Sequence, residues 1–307
     1  MIGVAVVGSL HLDIMVQAPR LPSLDETLMG SGWHYKCGGK GGNQAVAAAR
    51  LGARTAFGGQ TGNDDFGQRL RANLISAGVD IQCLRVDPAQ GSGMSVAISE
   101  ASGEYGAVVV SGANLTIAAD VISKSWAPLW ECRVLLLQNE IPEAVNIAAA
   151  TAARGKGAMV VLNAAPARTT SAALFDLVDV LVVNRVEAAM LSGLADDAER
   201  AIRALGSPSR DVVLTRGGDG LLLLTRQGEL LPIPALPVTL ISSHGAGDCF
   251  CGALAARLAA DAALVEACTY ARMAAGLFVS MPEERQFSLT HALVSAQREA
   301  HQTSGMR

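Results

Sequence analysis

Residues 134–137 read VLLL, residues 159–162 read MVVL and residues 180–183 read VLVV, with the alanine-rich stretch IPEAVNIAAATAAR at 141–154 between the first two. Four continuous apolar residues bounded by polar ones suit a strand buried on both faces, and alanine at helical spacing lets a helix pack closely on a sheet. Near-continuous apolar strands alternating with helices describe a parallel sheet covered on both faces. The alternation extends outward from this centre. Strands are expected at 4–8, 54–59, 212–215 and 220–224, and helices at 42–51, 65–77, 186–191, 197–205, 247–260 and 264–278. The fold class is therefore α/β.

Two stretches break the rhythm. Residues 11–37 interleave polar and apolar side chains and carry Pro19 and Pro22. Residues 91–112 alternate strictly, with Met94, Val96 and Ile98, then Glu104 and Tyr105, then Val108 and Val110; strands are expected at 95–99 and 108–110. Period-two alternation marks strands with one open face. A small second sheet is expected there, its open face covered by a substrate, a partner subunit or both.

Composition narrows the function classes. The chain has 307 residues, half of them hydrophobic and 17% charged, which supplies a large core and too little charge for disorder. The net charge of −4 gives no basic stripe, so nucleic acid is excluded as a partner. Mean hydropathy is +0.32, yet no apolar run approaches the roughly 18 residues that span a bilayer. The start, MIGVAVVGSLHLD, lacks a basic leader region and reads as a first buried strand. The six cysteines, at 37, 83, 132, 249, 251 and 268, form neither a C-x-x-C pair nor a Cys/His cluster. Reduced thiols in a cytoplasmic protein are expected.

Two glycine-rich turns carry the chemistry. Residues 38–44 read GGKGGNQ and open an alanine-rich helix, so helix N–H groups with Lys40 and Asn43 can cradle an anion or a polyol. There is no G-K-[ST], so this is not a P-loop. Residues 242–248 read SSHGAGD and open a second helix of small residues. The N–H groups of Gly245, Ala246 and Gly247 lie at the positive end of that helix dipole, suited to a phosphoryl group in flight. Asp248 sits in the first turn, able to accept a hydroxyl proton or merely to complement the dipole. Both turns lead into helices, so both can lie at the carboxyl ends of the strands, where ligands bind.

Together with GSLHLD, SGAN, QNEIP, LNAAPAR, VVNRVEA and LTRGGDG, in that order, these turns make the chain resemble the ribokinase-like sugar kinases of the PfkB family over nearly its whole length. The resemblance implies a three-layer fold with a small β-sheet lid formed by about 11–37 and 91–112, within one domain spanning 1–307. It implies transfer of the γ-phosphate of ATP to a primary hydroxyl of a ribose-like sugar, with Asp248 as base and Gly245, Ala246 and Gly247 as anion hole. It puts His11, Asp13, Gly39, Lys40, Asn43 and Glu140 with Asp248 around the sugar. On the nucleotide side it puts Asn184, Thr215, Arg216, Gly217, Gly220 and Arg272 with Gly245 and Gly247. Asn184 and Glu187, as N-x-x-E, would organise Mg²⁺ largely through water. Two lids packed together would give a homodimer.

The chain departs from the family pattern at several positions. His11 stands where an asparagine is usual, which points to a different sugar or to a ring packed beneath the lid. Ser242 replaces an aspartate of the potassium-activation loop, Ser243 a threonine, and Gly42 an alanine. Losing that carboxylate weakens a monovalent-cation site at Ser242 and His244, though Glu283 or Glu284 can restore the charge and Arg285 can replace the ion. Trp126 and Trp130 suggest a helix packing face. The rival functions are a nucleoside or pseudouridine kinase and, from another class, a catalytically silent sugar-binding regulator. A Rossmann oxidoreductase is excluded by the lack of an early G-x-G-x-x-G.

Overall fold

The computed structural model describes residues 1–100 and 105–304. In chain order the strands are β1 (Ile2–Val7), β2 (His11–Ala18), β3 (Gly32–Gly38), β4 (Thr55–Gly62), β5 (Asp80–Asp87), β6 (Met94–Glu100), β7 (Tyr105–Val110), β8 (Cys132–Gln138), β9 (Met159–Asn163), β10 (Val180–Asn184), β11 (Asp211–Thr215), β12 (Leu221–Leu224) and β13 (Leu230–Ile233). The helices are α1 (Lys40–Arg50), α2 (Asp65–Ser76), α3 (Ala119–Ser125), α4 (Glu143–Arg154), α5 (Ala172–Phe175), α6 (Arg185–Ser192), α7 (Ala198–Leu205), α8 (Ala246–Ala259), α9 (Leu264–Val279) and α10 (His291–Ser304).

Nine strands form one sheet in the order β13-β12-β11-β10-β9-β8-β1-β4-β5. It is parallel from β11 to β5 and closes with an antiparallel edge, β11-β12-β13. Alternate residues of each strand enter opposite layers. Val134, Leu136, Val180 and Val182 pack with α1, α2, α8 and α9 on one face, while Leu135, Leu137, Leu181 and Val183 pack with α3 to α7 on the other. Burial on both faces is why these strands show no polar alternation. Two edge strands, β5 and β13, are additions to the expected set. β5 carries Asp80, Gln82, Arg85 and Asp87, and β13 carries Pro232; edges tolerate both charge and proline. Trp126 and Trp130 are buried as expected, but Trp130 lies in a short 3₁₀ turn after α3 rather than on a helix face.

The four remaining strands form the second sheet, in the order β3-β2-β6-β7, from the two stretches that broke the rhythm. Residues 101–104, including Glu104 of the alternating pattern, lie outside the described residues. The sheet is mixed: β2 pairs β6 in parallel, and the other two pairs are antiparallel. Trp33, Val108 and Val110 stand exposed on it.

β1 lies between β8 and β4. The helix that follows β1 packs on one face of the sheet, and the helix that follows β8 packs on the other. A crevice therefore opens between the carboxyl ends of β1 and β8, at the point where the chain direction across the sheet reverses. Among the described residues no helix is long and apolar enough to cross a membrane.

Candidate active site

The helices α2, α5, α6 and α7 begin on a side-chain cap: Asp64, Ser171, Asn184 and Asp197. At the crevice α1 and α8 begin instead on glycines in the left-handed half of φ space, Gly39 at 82° and Gly245 at 80°, with no capping side chain. The two termini are used differently. In α1 the Lys40 N–H donates to Glu140 Oε2 at 2.8 Å, the Gly41 N–H to Ser9 Oγ at 3.4 Å and the Gly42 N–H to the Ser9 carbonyl at 2.9 Å. Ser9 Oγ itself donates to Glu140. The protein thus satisfies the first turn of α1, and what faces the crevice is the side chains of Lys40 and Asn43 rather than free N–H groups. This corrects the expectation of a backbone cradle there. In α8 the Ala246 N–H makes a long bond, 3.3 Å, to the Ser243 carbonyl, while the N–H groups of Gly245 and Gly247 have no partner among the described residues. A Cβ placed on Gly247 would meet nothing within 4 Å, so this terminus opens onto free space.

Asp248 joins the two turns across 205 residues of sequence. Its Oδ2 accepts from Asn43 Nδ2 at 3.1 Å and its Oδ1 from Gln44 Nε2 at 3.0 Å. The residue is 8% exposed. Burial pushes its carboxyl above the usual aspartate range, against the Lys40 ammonium and the two amides, which pull it down. For Lys40, burial alone would lower the pKa, but Asp248, Glu140 and Glu187 together outweigh it and raise it. The arrangement is a buried carboxyl group, within the field of the Lys40 ammonium, in the first turn of a helix.

The approach of β1 to α1 depends on missing side chains. A Cβ on Gly41 would lie 2.6 Å from the Ser9 nitrogen, and one on Gly39 would lie 2.7 Å from the His11 nitrogen. Gly38 leaves room for the Asp13 carboxylate, whose Oδ2 would sit 2.2 Å from a Cβ there. Asp13 accepts from Ser95 Oγ, and burial raises its pKa against that bond and the nearby His11, His244 and Lys36. His11 is 4% exposed, its Nδ1 3.9 Å from Glu140 Oε2 and its Nε2 3.3 Å from Asn114 Nδ2. Lys36 of β3 pairs with Glu283 at 3.0 Å, tying the second sheet to the segment after α9. A cavity of about 270 Å³ opens on the α1 and α8 side of these groups, lined by Lys36, Cys37, Asn43, His244, Gly245, Asp248 and Glu283 and extending along Arg50, Asn73 and Phe278. Burial, then Lys36, lowers the His244 pKa, so that ring stays neutral at pH 7.

Residues 1–290 match the family described as pfkB family carbohydrate kinase. The chain belongs to the pfkB carbohydrate kinases. It is 32% identical to the ribokinase of Haemophilus influenzae over 280 residues, covering 90% of this chain and 91% of that one. It is 31% identical to the deoxyribokinase of Salmonella typhi over 258 residues, covering 82% and 84%. Among solved structures, the ribokinase of Arabidopsis thaliana complexed with ribose and ATP superposes with a TM-score of 0.84 at 28% identity, covering 92% of this chain and 96% of that one. The protein is therefore a ribokinase-like sugar kinase, a phosphotransferase with an alcohol acceptor.

The kinase brings some of the expected residues together and spreads others along the sheet edge. Asn43, Gly245, His244 and Asp248 share the cavity, whereas Lys40, Glu140 and Asp13 are not among its lining residues; Glu140 is tied to the start of α1 by the Lys40 N–H, and Asp13 feels the charges of His244 and Lys36. Asn184 and Thr215 are register partners at the ends of β10 and β11. Asn184 and Glu187 form a capping box: Asn184 Oδ1 accepts from the Glu187 N–H at 2.9 Å, and Glu187 Oε2 accepts from the Asn184 N–H at 2.8 Å. The N-x-x-E spacing is thus also a helix start. Glu187 is 5% exposed and its pKa is raised by burial, with Lys40 opposing and Asp248 reinforcing. Arg216 donates to the Asp219 carbonyl of its own turn, around Gly217 at φ 60° and Gly220 at φ 78°. Arg272 holds the Pro234 carbonyl at 2.8 Å. Ser242 accepts from the His244 N–H at 3.3 Å.

Sequence reasoning passed over Ser9, Gln44, Gln138 and Asn163. Gln44 donates to Asn163 Oδ1 at 3.0 Å as well as to Asp248, and accepts from Gln138 Nε2 at 2.8 Å. The available signal was a polar residue closing each of two wholly apolar central strands, VLLLQ and MVVLN.

Proposed function

We propose that the protein transfers the γ-phosphate of ATP to a primary hydroxyl of a ribose-like sugar. The observation that carries this is the meeting of the two glycine turns at Asp248, a buried carboxylate bonded to Asn43 beside the open N-terminus of α8. Asp13, Lys40, Asn43 and Glu140 hold the sugar, each able to bridge hydroxyls. His11 stands beside them on the sugar side, its Nε2 3.3 Å from Asn114 Nδ2, while the Ser9 hydroxyl and the Lys40 N–H orient Glu140. Asp248 takes the proton of the acceptor hydroxyl, the oxygen attacks the γ-phosphorus, and ADP leaves with the bonding pair. The N–H groups of Gly245, Ala246 and Gly247 stabilise charge on the transferred group. Lys40 compensates the charge of the ionised base.

Asn184, Thr215, Gly217 and Gly220 line the nucleotide, with Arg272 and Arg216 bracing its walls. No cluster of three or more His, Cys, Asp or Glu side chains suited to a metal occurs among the described residues. Magnesium would be carried by the phosphates, with Asn184 and Glu187 as hard oxygen partners through water, and it would supply charge neutralisation. A monovalent cation fits poorly. Ser242 offers no carboxylate, His244 is a nitrogen donor, and Glu283 is already neutralised by Lys36. No step is assigned to such an ion.

The second sheet is the lid, closing over the sugar to exclude water. Its exposed Trp33, Val108 and Val110 are the face on which a second copy packs, and light scattering of the purified protein tests that dimer. All six cysteines are unpaired, which suits a reducing compartment such as the cytoplasm. The function is tested by sugar-dependent ADP formation with ribose, 2-deoxyribose, other pentoses and hexoses, and nucleosides. Turnover with a free pentose supports the reading. Preference for a nucleoside would replace it, and binding of sugar and ATP without turnover would mark a regulator.

A further inference from the structure

Gln44 is wholly buried, and its side-chain amide is saturated. One Nε2 hydrogen goes to Asp248 Oδ1 and the other to Asn163 Oδ1, both at 3.0 Å, while Oε1 accepts from Gln138 Nε2 at 2.8 Å. The orientation is set from behind. A flipped Gln44 would bring its NH₂ against that of Gln138 and its carbonyl against a carboxylate. Gln138 is itself fully buried and fits only because residue 8 is glycine, where a Cβ would come within 2.0 Å of Gln138 Oε1. Gln44 can therefore present only N–H to Asp248.

We infer that Gln44 is a positioning residue for the base, held in its donating orientation by Gln138. This rests on the reading of Asp248 as the base. Gln44 donates to Oδ1 from the buried side and so fixes the carboxylate plane, which puts Oδ2, bonded to the cavity-lining Asn43, forward as the oxygen that receives the alcohol proton. It also favours the ionised form in a site where burial opposes it.

The test is the pH dependence of kcat/KM for the sugar in Gln44→Leu, Gln44→Glu and Gln138→Leu. Gln44→Leu removes the donor, so the acidic limb should move up by about 1–2 pH units, with kcat down about tenfold or more and the ATP KM within about twofold. Gln44→Glu sets a second carboxyl against Asp248 and should move the limb up as well. Gln138→Leu leaves Asp248 untouched yet frees the Gln44 amide, and should give a smaller shift of the same sign. A role confined to core packing would lower melting temperature without moving the limb. If Gln44→Leu fails to fold, the other two variants decide. A folded variant with the wild-type acidic limb and kcat overturns the inference. Asp248→Asn separates the two failures: if it stays active, the base assignment itself falls, whereas an inactive Asp248→Asn beside unshifted Gln44 and Gln138 variants sinks only the positioning role.

Discussion

Asp248→Asn is the perturbation whose outcome the structure constrains most. Asparagine keeps the shape of the side chain. Its Oδ1 can still accept from Gln44 Nε2, but its amide then faces Asn43 Nδ2, replacing a hydrogen bond of 3.1 Å with two donors in contact. Losing that bond costs about 1 kcal/mol, which Asn43 can reduce by turning toward the cavity. Lys40 keeps Glu140 and Glu187 as counter-charges. The melting temperature should therefore move by no more than about 2–4 °C. The proposed proton acceptor, in contrast, is gone. A positioned base is worth about 10²–10⁴ in rate, or about 3–5 kcal/mol of barrier. The assay is coupled ADP release at saturating ATP with the preferred sugar, alongside far-UV circular dichroism and a thermal melt. The expected result is a loss of kcat in that range with the fold intact and the KM for ATP near that of the wild type. A folded variant that turns over within tenfold of the wild type would refute the reasoning, because among the described residues no other carboxylate accepts from both Asn43 and Gln44.

Gly247→Ala should separate stability from activity. The added Cβ meets nothing within 4 Å and the position is helical, so the melting temperature should hold or rise slightly, while kcat should fall because the methyl would fill the space assigned here to the transferred phosphoryl. Gly41→Ala should do the opposite: its Cβ lies 2.6 Å from the Ser9 nitrogen and 2.7 Å from the Gly8 carbonyl carbon, both backbone, so thermal melts should show a loss of about 1–3 kcal/mol together with weaker sugar binding. The pH dependence of stability has a definite sign. The folded pKa of Asp248 is raised by burial, so this group's contribution is full below the unfolded value of about 3.9 and is lost as pH rises through the folded value. Melts of wild type and Asp248→Asn from pH 4 to 7.5 should therefore show the difference moving in favour of the variant as pH increases.

The large sheet was legible because its central strands are buried on both faces. Leu135 and Leu136 point into different layers and both must be apolar, so VLLL leaves no other reading. The edges were not legible for the converse reason. β5 and β13 are half solvated, so their polar residues and Pro232 hide them among loops. At the site, the glycine turns and Asp248 were visible because their neighbours are unusual in sequence. Gln44, Gln138 and Asn163 were hidden because each stands alone, and only the sheet order brings β8, β9 and the start of α1 to one point. The expectation of a backbone cradle at α1 failed because nothing local to residues 38–44 reveals that Ser9 and Glu140, just beyond the ends of β1 and β8, supply the missing cap.

On the proposed reading, that difference between the two helix starts would let one crevice serve two chemically unlike ligands. A polyol has no net charge and many hydroxyls, each both donor and acceptor. Free helix N–H groups would offer it only donors, whereas Asp13, Asn43, Lys40 and Glu140 offer both kinds. Capping α1 internally with Glu140 also spends the positive end of its dipole on a protein carboxylate, so α1 is no competitor for the phosphates. A transferring phosphoryl is the reverse case, an acceptor throughout, and on the proposed reading α8 would meet it first with the N–H groups of Gly245 and Gly247, which have no partner among the described residues and carry no side chain. Glycine thus serves the two starts differently: at Gly39 and Gly41 it lets two pieces of backbone touch, and at Gly247, on the proposed reading, it would let a ligand reach the backbone. If that division is right, alanine at 41 damages the scaffold and alanine at 247 damages only the reaction.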